Sequence, residues 1–203
     1  MVILPRRFKP SSFTLVEVLT VMVIIAILAS LVIFAGEAVM LAGSRNRAQS
    51  EIKAFSSALE NYKNDNGTYP TDGTNLVGPP NSPYPTDPSV SGGNYQLSSA
   101  KLYLALSGKT NFTDEPVAGR VPYYVFKGNQ VGNPTGASGG GASTYVQDPF
   151  NFSYGYSIGD GTTANVPYNG LGQFDLWSTG GTTGSSFSSN KNTTNSWICN
   201  WPN

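Results

Sequence analysis

An α+β fold is predicted for this 203-residue chain by three features. Apolar side chains recur at helical spacing between residues 48 and 62, and short β-branched and aromatic runs lie between glycine-rich stretches from residue 121 to 178. The 10 Phe, 11 Tyr and 3 Trp, concentrated at and beyond residue 55, are enough to build a core. The arrangement these imply is a long N-terminal helix, hydrophobic in its first half and amphipathic in its second, packed on a small antiparallel sheet with long loops.

Composition restricts function before any motif is read. There are 12 Lys and Arg against 12 Asp and Glu, and charged residues make up 12% of the chain, about half the ~25% usual for a soluble domain. With no basic excess there is no electrostatic footprint for a nucleic-acid partner. The absence of His removes the commonest general base. A single cysteine, Cys199, excludes both an internal disulfide and a multi-cysteine zinc site. Asp114 and Glu115 form a lone acidic pair of the kind found in solvated loops, and no catalytic residue is assigned. The chain is not expected to be an enzyme.

The first element is a leader, residues 1–12, carrying Arg6, Arg7 and Lys9. Residues 18–36 then run 19 positions without a charge, ~28 Å as a helix and close to the thickness of a hydrocarbon core. Residues 13–36 therefore read as a membrane-spanning helix, with the leader charges holding the N-terminus on the cytoplasmic side. A cleaved secretory signal fits poorly, because the apolar run exceeds the usual 7–15 residues and no A-x-A site closes it. Glu17, immediately before the uncharged run, is the anomaly: a carboxylate at such a boundary needs compensation.

Residues 37–66 continue as an amphipathic helix. Ala48, Ile52, Phe55, Leu59 and Tyr62 fall on one face, Gly67 suits a left-handed C-cap, and Pro70 prevents resumption. Gly36 and Gly43 mark places where the helix could bend. A single apolar stripe requires a body to cover it, and residues 67–203 supply one. Within them, residues 101–106 read as a short helix ending at Gly108, 121–126, 144–158 and 173–178 as strands, and 132–143 as a loop. Trp197 and Trp201 are expected to pack back on the body.

The string SFTLVEVLTV at residues 12–21 resembles the processing motif of type IV prepilins and type II secretion pseudopilins. ALENYKNDNGTYPT at 58–71 looks like a segment of the major, G-type pseudopilin. DPFNFSYGY at 148–156 and FDLWSTG at 174–180 are looser likenesses, and residues 72–144 match nothing in the family. The resemblance implies a pilin-like α+β fold and a structural subunit of a type II secretion pseudopilus. It implies cleavage by a prepilin peptidase between Ser12 and Phe13, N-methylation of Phe13, and a role for Glu17 in neutralising the amino terminus of a neighbouring subunit. Ser12 stands where the family usually has glycine. The implied partners are the peptidase, copies of the chain, other pseudopilins and an inner-membrane assembly platform. The implied location is the bacterial inner membrane, single-pass, with a periplasmic body that joins a periplasmic filament. A surface type IV pilin for adhesion, motility or DNA uptake is the alternative, and a membrane-anchored glycan-binding module a more distant one. The family's calcium loop would fall at residues 180–190, which carry no carboxylate. No cofactor is expected, with calcium as the alternative.

Overall fold

The computed structural model describes residues 13–73, 94–133, 144–158, 167–182 and 197–201, with the side chains of 32–37 and 94–95 outside that set. Among the described residues two α-helices, a 3-10 turn at Gly128–Gln130 and five strands make up an α+β architecture: α1 (Leu15–Asn66), α2 (Asn94–Ser107), β1 (Val131–Gly132), β2 (Tyr145–Val146), β3 (Gly155–Ser157), β4 (Asp175–Ser178) and β5 (Ile198–Cys199). The chain divides into two compact units, Met1–Ala42 and Gly43–Asn203.

In the first unit the described apolar side chains of α1 lie in the open, from Leu15 at 80% to Leu31 at 63% exposure. Two hydroxyls in this stretch bond back to the helix, Thr20 Oγ1 to the Val16 carbonyl at 2.8 Å and Ser30 Oγ to the Ile27 carbonyl at 2.7 Å. Neither is left needing water.

In the second unit α1 turns an apolar face inward. Ala48, Ile52, Phe55 and Leu59 are buried there. Tyr62 is half-buried, edge-on to Tyr123 at 5.2 Å between ring centroids. Phe55 is central, with Tyr124 at 4.9 Å and Phe126 and Tyr154 at 5.5 Å. Burying a side chain of that size contributes ~1.5–3 kcal/mol from area alone. The helix stops as Gly67, at φ +79°, donates its N–H to the Lys63 carbonyl at 2.7 Å, a left-handed end that a Cβ would strain.

Leu102, Tyr103 and Leu106 of α2 complete the core against Val146, Tyr154, Tyr156, Phe174 and Leu176. This helix begins seven residues before the position expected from the sequence. Ser98 and Ser99 are weak helix formers, yet both are fully buried, and Ser99 Oγ donates to the Val146 carbonyl at 2.7 Å. Their small size allows α2 to pack against β2, an advantage that propensity does not register.

Among the described residues the strands form two small antiparallel sheets where a single one was expected. β1 and β2 pair antiparallel, with Val131 opposite Val146. The other sheet has the order β3-β4-β5, all antiparallel, with Gly155 opposite Trp177 and Trp177 opposite Cys199. Residues 121–126, expected as a strand, are not one. The N–H groups of Tyr123 and Tyr124 donate to the Leu106 carbonyl at the end of α2, at 2.7 and 2.9 Å, and Pro122 has no N–H to offer. The expected strand at 144–158 is broken by a turn, where Asp148 Oδ1 accepts from the Phe150 and Phe152 N–H groups at 2.9 Å and Asn151 sits at φ +69°. Gly132 of the expected 132–143 loop belongs to β1, and residues 134–143 lie outside the described ones. At the chain's end Trp197 and Trp201 pack with Trp177, the Trp177 and Trp197 rings stacked at 6.3 Å.

Candidate processing and assembly site

The start of α1 is built by a reciprocal set of hydrogen bonds. Thr14 precedes the helix as its N-cap, and Glu17 occupies the third helical position. The Thr14 N–H donates to Glu17 Oε2 at 2.8 Å and the Thr14 hydroxyl donates to the same oxygen at 2.7 Å. The Glu17 N–H in turn donates to Thr14 Oγ1 at 3.3 Å. This is a capping box, which satisfies helix-end donors that would otherwise lack partners. The positive end of the helix dipole further favours an anion there.

The arrangement has a chemical consequence. One carboxylate oxygen of Glu17 is engaged by its own chain, while Oε1 accepts no hydrogen bond from any described residue. The side chain is thus held in one orientation, exposed, with an acceptor available to an incoming cation. Phe13, 80% exposed, lies one residue before the cap, and Ser12 is outside the described residues. Thr14 was not among the residues singled out from the sequence. The signal was present, since T-x-x-E directly before an apolar run is the one-dimensional signature of a capping box.

Beyond the cap, the exposed apolar surface of residues 15–31 is continuous along the helix. Soluble proteins rarely leave such a surface bare, and one of this kind marks contact with lipid or with other chains. Among the described residues no helix is long and apolar enough to cross a membrane. The uncharged run expected to do so, 18–36, continues into positions whose side chains are not described. The sequence-derived site residues thus fall in two places. Phe13 and Glu17 stand at the head of α1 in the first unit. Ala48, Ile52, Phe55, Leu59 and Tyr62 belong to the packing of the second unit.

Two buried carboxylates in the second unit serve the fold. Asp148 Oδ2 accepts from Ser178 Oγ at 2.5 Å, which ties the 148–153 turn to β4. Asp175 accepts from the N–H groups of Tyr168 and Asn169 at 2.7 and 3.2 Å and from Asn169 Nδ2 at 3.1 Å. Burial pushes each up to about 6, with the donated hydrogen bonds pulling the other way. Among the described residues no group of three or more acidic or cysteine side chains could hold a metal. Of the segment expected to correspond to a calcium loop, residues 183–190 lie outside those described.

Comparison with known proteins agrees with this geometry. The family model described as the prokaryotic N-terminal methylation motif matches residues 7–33, an interval containing Ser12, Phe13 and Glu17. The type II secretion system core protein G of Klebsiella michiganensis is 38% identical over 114 residues, covering 45% of this chain and 75% of that protein. The protein of the same description from Aeromonas hydrophila is 42% identical over 66 residues, covering 32% of this chain and 46% of its own length. No solved structure matches significantly. A methylation-type N-terminus, a long N-terminal helix packed on small antiparallel sheets, and an identity of this level across three quarters of a relative lead to one conclusion: the chain belongs to the type II secretion system core protein G family, the G-type pseudopilins.

Proposed function

We propose that the chain is a structural, non-enzymatic subunit of a type II secretion pseudopilus. It is made as a precursor held in the inner membrane by residues 13–36, with the leader in the cytoplasm and the body in the periplasm. A prepilin peptidase cuts between Ser12 and Phe13 and the Phe13 amine is methylated. The processed subunit then leaves the membrane for a filament of its own copies and other pseudopilins, drawn in by an inner-membrane assembly platform. The reading requires no cofactor.

The observation that carries it is the capping box at the head of an exposed apolar helix. Cutting before Phe13 leaves an amine four residues from Glu17, and bundling such helices brings one subunit's amine toward another's carboxylate. In an apolar surround an unpaired charge is strongly unfavourable, so the pair specifies register more than it adds stability. Thr14 presents the carboxylate in a fixed orientation before any neighbour arrives.

The test combines mass spectrometry with assembly. Membranes containing a prepilin peptidase should yield a chain shortened by residues 1–12 with one added methyl on Phe13. Glu17→Ala should be processed to the same product, yet fail to enter cross-linkable filaments. An intact N-terminus in peptidase-containing membranes would sink the proposal, as would normal polymerisation of the Glu17→Ala chain. Long extracellular fibres with no secretion defect on deletion would transfer it to a surface pilus.

A further inference from the structure

A groove lies in the second unit, among the C-terminal end of α1, α2 and residues 119–123. Its volume is about 420 Å³, within the ~300–1,000 Å³ of clefts that take a ligand or an anchoring side chain. Lys101 and Arg120 both line it and both are exposed. Among the described residues neither makes an ion pair. Both stems pack against glycines: a Cβ on Gly73 would come within 2.8 Å of Lys101 Cε, and one on Gly108 within 3.4 Å of Arg120 Cβ. The two cations are therefore presented from supported stems.

The walls are not charged. Tyr62 and Tyr123 meet edge to face, and Leu104 and Ala105 of α2 lie beside them. Asp65, one residue before the groove-lining Asn66, accepts from the Tyr123 hydroxyl at 3.1 Å, so that carboxylate is engaged by the groove wall and pairs with neither cation. Across the second unit Glu51, Asp72, Asp148 and Asp175 are buried, and Glu60, Asp65 and Glu115 are exposed with Lys53, Lys101, Arg120 and Lys127. Arg45, Arg47, Lys63 and Lys109 are half-buried, and of the described acidic side chains Asp114 alone is. A chain neutral by composition thus has a described body surface that leans basic.

We propose that this groove receives an acidic segment of a partner protein, with an Asp or Glu carboxylate between Lys101 and Arg120 and a neighbouring apolar side chain against Tyr62, Tyr123 and Leu104. A guanidinium suits a carboxylate by its paired donors, and tyrosine and arginine are the residue types that anchor protein interfaces. Two cations are too few to hold a nucleic-acid backbone. An inorganic anion would leave the aromatic and aliphatic walls unused. Lys101, Leu104, Arg120 and Tyr123 come from the 72–144 stretch that matches no family motif, so this site does not depend on the pseudopilus reading.

The test is fluorescence anisotropy with the full-length chain in detergent micelles and a fluorescein-labelled peptide alternating glutamate and leucine. Saturable binding that weakens with added sodium chloride is expected. Reversing both charges, Lys101→Glu with Arg120→Glu, should weaken it about tenfold, whereas Lys101→Arg should retain it. Arg120→Gln alone should weaken it about threefold and keeps the question open to refutation if the double variant fails to fold by circular dichroism. Absence of saturable binding, or equal binding by parent and Arg120→Gln chains, overturns the proposal. Polygalacturonate binding in place of the peptide would assign the groove to an acidic glycan and overturn it as well.

Discussion

Three donors converge on the carboxylate of Glu51, which is 6% exposed. Arg47 Nε donates to Oε1 at 2.8 Å and Gln130 Nε2 to the same oxygen at 3.1 Å, while the Tyr154 hydroxyl donates to Oε2 at 2.8 Å. Arg47 also donates to the Asn129 carbonyl at 2.9 Å, so one acidic side chain joins α1 to the 127–131 segment and to the strand region around Tyr154. Burial and the Glu51 charge push the Tyr154 hydroxyl well above its ordinary value, leaving it a proton donor at any physiological pH. Removing the carboxylate strands two buried donors. Glu51→Ala is expected to cost ~3–5 kcal/mol, read as a lowered melting temperature of the second unit's aromatic circular dichroism, with Glu51→Gln losing less. Asp148 and Asp175 behave in the opposite sense to salt-bridged carboxylates. Both titrate near 6 in the folded chain against 3.8 for the ordinary group, so folding takes up protons that the unfolded chain releases between about pH 6 and 4. Their ionised form opposes folding at neutral pH, and the contribution improves as pH falls through that window, by up to ~3 kcal/mol per group. Asp148→Asn keeps an oxygen for the Phe150 and Phe152 N–H groups and removes the titration. Melting curves from pH 7 to 5 should depend less on pH in that variant, and an unchanged slope would count against the buried charge.

At the scale of elements, β3 and β4 meet through a close approach. A Cβ on Gly155 would fall 2.1 Å from Trp177 Cε2, so the indole lies directly over the β3 backbone and no side chain fits beneath it. Gly155→Ala is expected to destabilise by about 3 kcal/mol or more. At Gly43, in α1, an added methyl would have nothing within 4 Å of it, and Gly43→Ala should stabilise by up to ~1 kcal/mol through helix propensity. Chemical denaturation of the two variants side by side gives opposite signs if this contrast is right. Residues 121–126 show why branched and aromatic content overstated the sheet. β-propensity reports fit to a half-buried pleated surface, and Tyr124 and Phe126 meet that need by packing on Phe55, with no partner strand. α2 errs in the other direction, since its buried serines lower propensity while enabling contact.

For the molecule as a whole, we propose that the C-terminal region holds together without an ion. Past Asp175 the chain contains no Asp or Glu, and calcium binding of useful affinity draws on acidic ligands. Hydrogen bonds and ring stacking join the described part of this region to the body. Leu176 donates its N–H to Asn200 Oδ1 at 2.9 Å and accepts from the Asn200 N–H at 3.1 Å, and Trp201 stacks on Tyr168 at 4.9 Å. The melting temperature should be the same in excess calcium and in excess chelator, and a calcium-dependent rise of several degrees would contradict this.

The sequence alone was enough for everything that repeats along a helix or reads out within a few residues: the uncharged run, Glu17 at its edge, the inward face from Ala48 to Leu59, and the stop at Gly67. Each depends on neighbours within one or two turns, so one-dimensional spacing carries the information. Only the tertiary structure decided that the strands form two sheets, that Trp197 and Trp201 close over Trp177, and that four carboxylates are buried while none of the described Lys and Arg side chains is. Strand pairing and burial join residues tens of positions apart, as Glu51 joins Gln130 and Tyr154. Such partners are chosen by which surfaces exclude water together, a property of the folded chain that no local window contains.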